Sequence, residues 1–528
     1  MQALSRFLIE YDNIAKMNPI ELNIFSSRIA AVCDEMGVQL RRAAFSPNIK
    51  DRLDFSCAIF DAQGELCAQA AHIPVHLGSM AYAMKFVVAN VDWNPQDMLI
   101  LNDPFLGGTH LPDITLVAPI FDAGQLVGFV VNRAHHADIG ASTPGSMPLS
   151  TSLNEEGVVI PPTHLIRAGV LDESLLNTLV SKTSKPNHAR ADFSAQISAN
   201  LIGVERIQEL ISMLGSPLYQ LGITALNDYA ETLAKHAISA IPNGCYKFCD
   251  ILDDDGVGQT EINIDVCIIV QDETLLVDFD GTHAQVKGNI NCPLSVAVAA
   301  VFYVFRCLMP HHTPACAGVF RPLKVQAPSG CLLNARRPAA VAAGNVETST
   351  RVVDVVMGAL AKAIPAHMAA ASQGSMNNVA MGAINRKFCW DYYETIGGGM
   401  GASSNCNGLS GVHTHMTNTL NTPIESLEMH YPLRVTQYQL REGSGGVGQH
   451  LGGNGLIREF EFLEPVAVTL LTERRIHAPW GLNGGGEGKC GRNTLDGELL
   501  PGKTYFQAKT GQRLKMETPG GGAWGESG

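Results

Sequence analysis

Asn102-Asp103-Pro104-Phe105-Leu106-Gly107-Gly108-Thr109-His110-Leu111-Pro112-Asp113 leads into two apolar, β-branched-rich runs, Ile114–Phe121 and Leu126–Asn132, which end at Arg133-Ala134-His135-His136-Ala137-Asp138. The segment between the runs, Asp122-Ala123-Gly124-Gln125, is a glycine-containing turn, so the pair reads as an antiparallel hairpin. In a hairpin the start of the first strand lies beside the end of the second. His110 and Asp113 are therefore expected at the same sheet end as His135. Two imidazoles and a carboxylate at one point outline a metal site. His136 faces the other way if the strand continues, and Asp138 is placed to orient an imidazole from behind. Each of these residues alone would read as a polar loop residue bonded to backbone amides. Their convergence is what points to an ion.

Working outward, Ile20–Ala44 carries apolar side chains at Phe25, Ile29, Val32, Met36 and Leu40, a helical period. Phe55–Phe60 and Glu65–Gln69 flank Asp61-Ala62-Gln63-Gly64 as a second hairpin, His76–Val91 reads as a helix, and Met98–Asn102 as a short strand. Residues 1–185 thus form an α/β unit with its polar loops at one sheet end. A helical middle follows over 186–241, with helical periods at Ala191–Leu214 and Pro217–Ile241 split by Gly215-Ser216-Pro217. An α/β unit spans 242–396, with strands at Glu261–Val270 and Thr274–Asp280 and helices at Leu294–Met309 and Thr348–Ala363. Short strands between glycine clusters fill 397–528. The fold class expected is mixed α/β (α+β).

Bulk properties narrow the function classes. The 528 residues exceed a single core, 46% are hydrophobic and 16% charged, and a net charge of −13 argues against sequence-independent nucleic-acid binding. The 13 cysteines are odd in number and scattered. With no signal-peptide pattern at the N-terminus, they read as reduced thiols in a cytoplasmic protein. The most apolar run, Leu294–Met309, is too short to span a bilayer and contains Arg306, so no membrane association is expected.

Other polar clusters carry weaker signals. Asp51 or Asp54 could complete a coordination sphere, or either could pair with Lys50 or Arg52. His72 and His76 could line a pocket or simply bond within their loop. His413-Thr414-His415 would place both rings on one face if extended, and His311-His312 reads as a surface turn. Gly443-Ser444-Gly445-Gly446-Val447-Gly448 matches a dinucleotide fingerprint, but no helical pattern follows it. Gly488-Lys489 lacks the Ser or Thr and the first glycine of a phosphate loop. Neither supplies an ATP site.

Several stretches together resemble the hydantoinase B/oxoprolinase family. They are Asn48–Arg52, His72–Met80, Asn102–Asp113, Arg133–Gly140, Thr143–Pro148, Glu155-Glu156-Gly157, His413–Glu425 and the glycine-rich run Arg441–Gly455. The resemblance implies the metal-bearing subunit of a two-component, ATP-dependent enzyme. In that family a hydantoinase A-like ATPase subunit phosphorylates a cyclic amide or enolised ketone, and the B-type chain completes the reaction at a divalent metal. It further implies His110, Asp113 and His135 as metal ligands, with Asp51 or Asp54 as a fourth. Zinc or manganese suits that set. Asp138 or His136 would handle proton transfer. The expected function is hydrolysis of a cyclic amide of the hydantoin or 5-oxoproline type within a hetero-oligomer. Carboxylation of a ketone, or a non-catalytic role in assembling the ATPase, are the alternatives.

Overall fold

The computed structural model describes residues 17–70, 73–383 and 390–528, and the fold is mixed α/β. Strands β1 (Phe55–Asp61) and β2 (Leu66–Ala70) form the first hairpin. Strand β3 (Met98–Leu101) precedes the central hairpin of β4 (Asp113–Asp122) and β5 (Gln125–His135), and β6 (Thr163–Arg167) and β7 (Val170–Leu171) follow. All pair antiparallel in the order β2-β1-β5-β4-β3-β6-β7. The β4–β5 turn has two central residues, Ala123 and Gly124, with φ of 46° and 81°. Positive φ at both matches the right-handed twist of the strands, and a β-bulge between Ile120 and Phe121 then shifts the register by one residue. That register sets Asp113 directly opposite His135.

Both faces of this hairpin are buried, and strand alternation assigns each side chain to one of them. On one face lie α1 (Pro19–Ala43) and α5 (Pro186–Leu214). The N-terminus of α1 is fixed by a capping box between Asn18 and Glu21. Asn132 donates to the Gln196 carbonyl and to Asn200 Oδ1, both at 2.8 Å, and Gln196 donates to the Ile114 carbonyl at 2.9 Å. These buried amides lock α5 to the hairpin with their polar groups satisfied. The opposite face meets α3 (Pro74–Asn90), which follows the one-turn helix α2 (Pro47–Lys50). There Arg133 of β5 donates to Ser79 Oγ at 2.7 Å and to the Gly107 carbonyl at 3.2 Å.

After α4 (Glu173–Val180), α5 and α6 (Ser216–Ser239), a second sheet has the order β11-β10-β9-β8. It comprises β8 (Gly244–Asp254), β9 (Thr260–Gln271), β10 (Thr274–Asp278) and the parallel strand β11 (Leu323–Gln326). Helix α8 (Ser349–Leu360) covers β8 and β9, and α7 (Leu294–Leu308) bridges α8 to α3. A third sheet, β13-β12-β16-β19, joins β12 (Asn378–Ala383) and β13 (Asp391–Glu394) to β16 (Val466–Leu471) and β19 (Lys503–Ala508). Strands from both sides of the expected 396/397 division therefore share one sheet. Likewise α5, expected in a separate helical segment, is packed on the first sheet. Pairing partners far apart in the chain decided both outcomes. The fourth sheet, β14-β15-β20-β17-β18, holds β14 (Leu433–Arg441), β15 (Gly455–Phe462), β17 (Arg492–Leu495), β18 (Glu498–Leu500) and β20 (Arg513–Glu517), with α9 (Ile424–His430) before it. The glycine clusters of this part are points of backbone contact. A Cβ on Gly453 would sit 1.9 Å from the Leu409 carbonyl oxygen.

Buried ion pairs tie the C-terminal strands to the second sheet. Arg474, just beyond β16, meets Asp250 of β8 at 2.7 Å and Asp354 of α8 at 2.8 Å, and Arg351 meets Glu473 at 3.2 Å. Removing one partner strands the others in a low dielectric, which costs far more than loss of an exposed pair. Arg474→Ala is therefore expected to lower stability by roughly 3–5 kcal/mol in chemical denaturation. Arg190→Ala, which breaks the exposed pair with Glu173, is expected to cost no more than about 1 kcal/mol.

Candidate metal centre

The loop before β4 is built to deliver two side chains. Asn102 staples it, donating to the Leu111 carbonyl at 2.8 Å and accepting from the Ile160 amide at 2.6 Å. Asp103 caps the turn at Pro104–Leu106 and pairs with Arg337. Gly108 lies so close to the Asn102 carbonyl oxygen that a Cβ there would approach to 2.3 Å, which only glycine tolerates. The chain then turns so that His110 and Asp113 meet His135 from the neighbouring strand.

Asp113 is the hub. Its Oδ1 lies 3.2 Å from His110 Nε2 and 3.3 Å from His135 Nδ1, and its Oδ2 lies 3.4 Å from His76 Nε2. Thr109 donates to Oδ2 at 2.6 Å, and Asn345 Nδ2 reaches the same oxygen at 3.4 Å. All four titratable side chains are buried. Burial alone would raise the Asp113 carboxyl, but His110 and His76 beside it hold it well below the usual carboxylate range. Burial opposes protonation of His110, yet the Asp113 charge outweighs that and lifts the imidazole above its ordinary value.

His110, Asp113 and His135 each offer a ligand atom, all within 4.8 Å of one another, so this buried group can hold a metal ion. The donor chemistry fits. His110 Nδ1–H donates to the Ala342 carbonyl at 3.3 Å and, the nearby Asp113 carboxylate apart, His110 Nε2 and His135 Nε2 have no hydrogen-bond partner among the described residues although buried. Buried imidazole nitrogens without partners are costly unless something else occupies them. The His135 ring is held flat against Tyr393, with centroids 4.9 Å apart and planes 11° apart. Met376, Met416, Thr395, Thr417 and Thr419 close the cavity above the group.

A model of the hydantoinase B/oxoprolinase family covers residues 18–527. The chain belongs to the hydantoinase B/oxoprolinase family. Relatives within it include 5-oxoprolinase 1 of Arabidopsis thaliana, 39% identical over 98% of this chain and 42% of that protein. Another, named as the B component of a D-/L-hydantoinase from a Pseudomonas strain, is 32% identical over 98% of this chain and 91% of the relative. The chain thus spans about two fifths of the plant protein's length. Among solved structures, the ATP-dependent caprolactamase of Pseudomonas jessenii superposes with a TM-score of 0.90 at 27% identity, covering 97% of this chain and 92% of that one. Acetone carboxylase shares the fold, with a TM-score of 0.87 at 18% identity over 97% and 76% of the two chains.

Against the His110–Asp113–His135 group, the residues expected from the sequence divide cleanly. Asp54 lines the cavity, carried inward by a turn in which Leu53 has φ of 57°, and lies 3.9 Å from Arg52. Asp51, at the C-terminal cap of α2, is not among the residues lining the cavity. His136 and Asp138, expected to move protons, are not brought to the group. His136 follows the strand alternation to the α5 face, where its Nε2–H donates to Gln196 at 2.8 Å against the Phe193 ring. Burial there pushes its pKa down. Asp138 accepts from the Gly140 and Ser184 amides and from Ser146, in a separate pocket. His413 and His415 do not share a face. The first sits beside Arg52, pushed down to about 4 by burial and that guanidinium, while the second, at φ 58°, turns to Asp354 at 3.4 Å. His72 lies outside the described residues.

His76 is the residue that sequence reasoning undervalued. Its signal was Pro74 at the start of an apolar helix, which fixes the ring at the first turn of α3. Arg133, buried between Thr115, Ser79 and the Gly107 carbonyl, is a second such residue, since it ties the ligand loop to β4, β5 and α3. Behind Tyr393, whose hydroxyl donates to Asn378, Asn378 Nδ2 in turn donates to Glu347 at 2.7 Å. Burial, with Glu473 adding, raises the Glu347 carboxyl from 4.5 to about 7. The folded chain therefore holds a proton that the unfolded chain releases, and the associated stability, full below pH about 4.5, is lost as pH rises through about 7. Glu347→Gln, which cannot ionise, is expected to gain in melting temperature relative to the parent as pH is raised from about 5 to about 8. A difference that stays constant across that range would contradict this assignment.

Proposed function

We propose that this chain is the metal-bearing B-type subunit of an ATP-dependent enzyme that opens cyclic amides, acting with a hydantoinase A-like ATPase subunit. The observation that carries this reading is the buried His110–Asp113–His135 group, whose ligand atoms lie within 4.8 Å of one another and two of whose imidazole nitrogens have no hydrogen-bond partner among the described residues apart from Asp113. Those three side chains would hold zinc or manganese, and Asp54 is placed on the same cavity as a further carboxylate. Such an ion supplies Lewis acidity toward a carbonyl oxygen. Around it, the Ala342 carbonyl fixes the His110 tautomer, Tyr393 fixes the His135 plane, and threonine and methionine side chains line the cavity.

Activation by ATP is assigned to a second chain. The two glycine-rich stretches that resemble nucleotide loops lie between strands: Gly443–Gly448 joins β14 to β15, and Gly488 precedes β17. One relative is named as a single component of a hydantoinase, and the plant 5-oxoprolinase has more than twice the length matched here. Cyclic amides are favoured over ketones because the oxoprolinase and caprolactamase matches are at higher identity than acetone carboxylase, which shares only the fold.

Co-expression with a hydantoinase A-like chain, followed by assay of ATP turnover against hydantoins, 5-oxoproline and lactams, tests the reading. ATP-dependent opening of at least one cyclic amide is expected, with one divalent ion per chain. His110→Ala should lose both the ion and, by about 100-fold or more, the activity. Turnover confined to ketones with bicarbonate, or full activity in His110→Ala, would sink it.

A further inference from the structure

Glu155-Glu156-Gly157 is a motif that the metal group does not use. Glu155 turns outward and bonds Thr151. Glu156 is wholly buried, and its Oε1 accepts three hydrogen bonds, from Ser150 Oγ at 2.7 Å and from the amides of Val341 and Ala342 at 2.8 and 2.9 Å. Those two amides belong to a strap, residues 341–345, that lies across the metal group. Ala342 offers its carbonyl to His110 Nδ1–H, and Asn345 donates to Asp113 Oδ2. A single carboxylate thus anchors the segment that touches two of the three candidate ligands.

We propose that Glu156 is a positioning residue for metal binding: it pins the 341–345 strap so that the Ala342 carbonyl holds His110 with Nε2 turned to the ion. The inference rests on the metal reading above, but makes a separate claim. Without the carboxylate, two buried amides and a hydroxyl lose their acceptor, and the strap relaxes to find others. His110 then loses the bond that selects its tautomer. Partners of this kind, one bond removed from the ion, are worth about 10- to 100-fold in metal affinity.

The test uses the full chain freed of metal and titrated with cobalt(II), whose visible absorption reports ligand geometry. Glu156→Ala is expected to weaken cobalt binding by about 10- to 100-fold and to shift the bands, while Glu156→Gln, which keeps an acceptor oxygen at Oε1, restores most of the affinity. Glu156→Ala with native circular dichroism and unchanged affinity and spectrum would overturn the proposal, as would an equal loss in Gln and Ala. If the alanine variant does not fold, Glu156→Asp decides: its oxygen is withdrawn by one methylene from the amides, and unchanged affinity overturns the proposal. NMR of ring-labelled histidine in metal-free protein gives a readout independent of the ion. At alkaline pH, where the ring is neutral, His110 is expected as the Nδ1–H form in the parent and as a tautomer mixture in Glu156→Ala, and no change in tautomer overturns the proposal. A parent chain that takes up no cobalt would count against the metal reading alone, with the tautomer result still deciding the role of Glu156.

Discussion

A carboxylate buried at a cross-strand position is the constraint that organises this chain. Asp113 opens β4 directly opposite His135, away from water, and an isolated ion there would cost several kcal/mol. Three imidazoles, a threonine hydroxyl and an asparagine amide surround it instead. They come from four separate places in the chain: β5, the loop before β4, the first turn of α3 and the strap at 341–345. The hub can be satisfied only when all four are in place, so the chemistry of the site and the assembly of the fold are the same problem.

The candidate ligands are held by rigid supports. Asp113 and His135 stand on paired strands, and the turn at Ala123-Gly124 together with the bulge between Ile120 and Phe121 fixes their register. A site on strands holds geometry more tightly than one on loops. Where a candidate ligand comes from a loop, as His110 does, the loop is firmly held: Asn102 and Arg133 bond its carbonyls, and Gly108 permits its close approach to the strand end. The C-terminal part closes over this base. Arg52, buried, donates to the Tyr393 carbonyl and to Thr395 and Thr419, which line the cavity. Residues separated by hundreds of positions thus build one wall.

Local pattern made much of this legible. The helices read from apolar periodicity over Ile20–Ala44 and Leu294–Met309 lie within a residue or two of those observed, Pro19–Ala43 and Leu294–Leu308. Burial of one helical stripe imposes that period whatever the partner. The β4–β5 pairing was equally open to reading, because a short glycine turn between two β-branched runs leaves few other registers. Long-range pairing was not open to reading in this way. That β12 and β13 join β16 and β19, across the glycine-dense loops, depends on which strand edges meet once the chain is compact.

Residue pattern along the chain was enough for the hairpin, and with it for the gathering of His110, Asp113 and His135 at one sheet end, because a glycine turn between two β-branched runs brings the chain back to its start. Alternation likewise parted His135 from His136, but the bulge between Ile120 and Phe121 that sets Asp113 opposite His135 is not recorded in that pattern. Tertiary structure alone set Asp54 rather than Asp51 along the cavity, past the turn at Leu53. It alone brought in His76 and the 341–345 strap. Their contacts with Asp113 and His110 are set by the packing of α3 and by the Glu156 anchor, and no local periodicity records either.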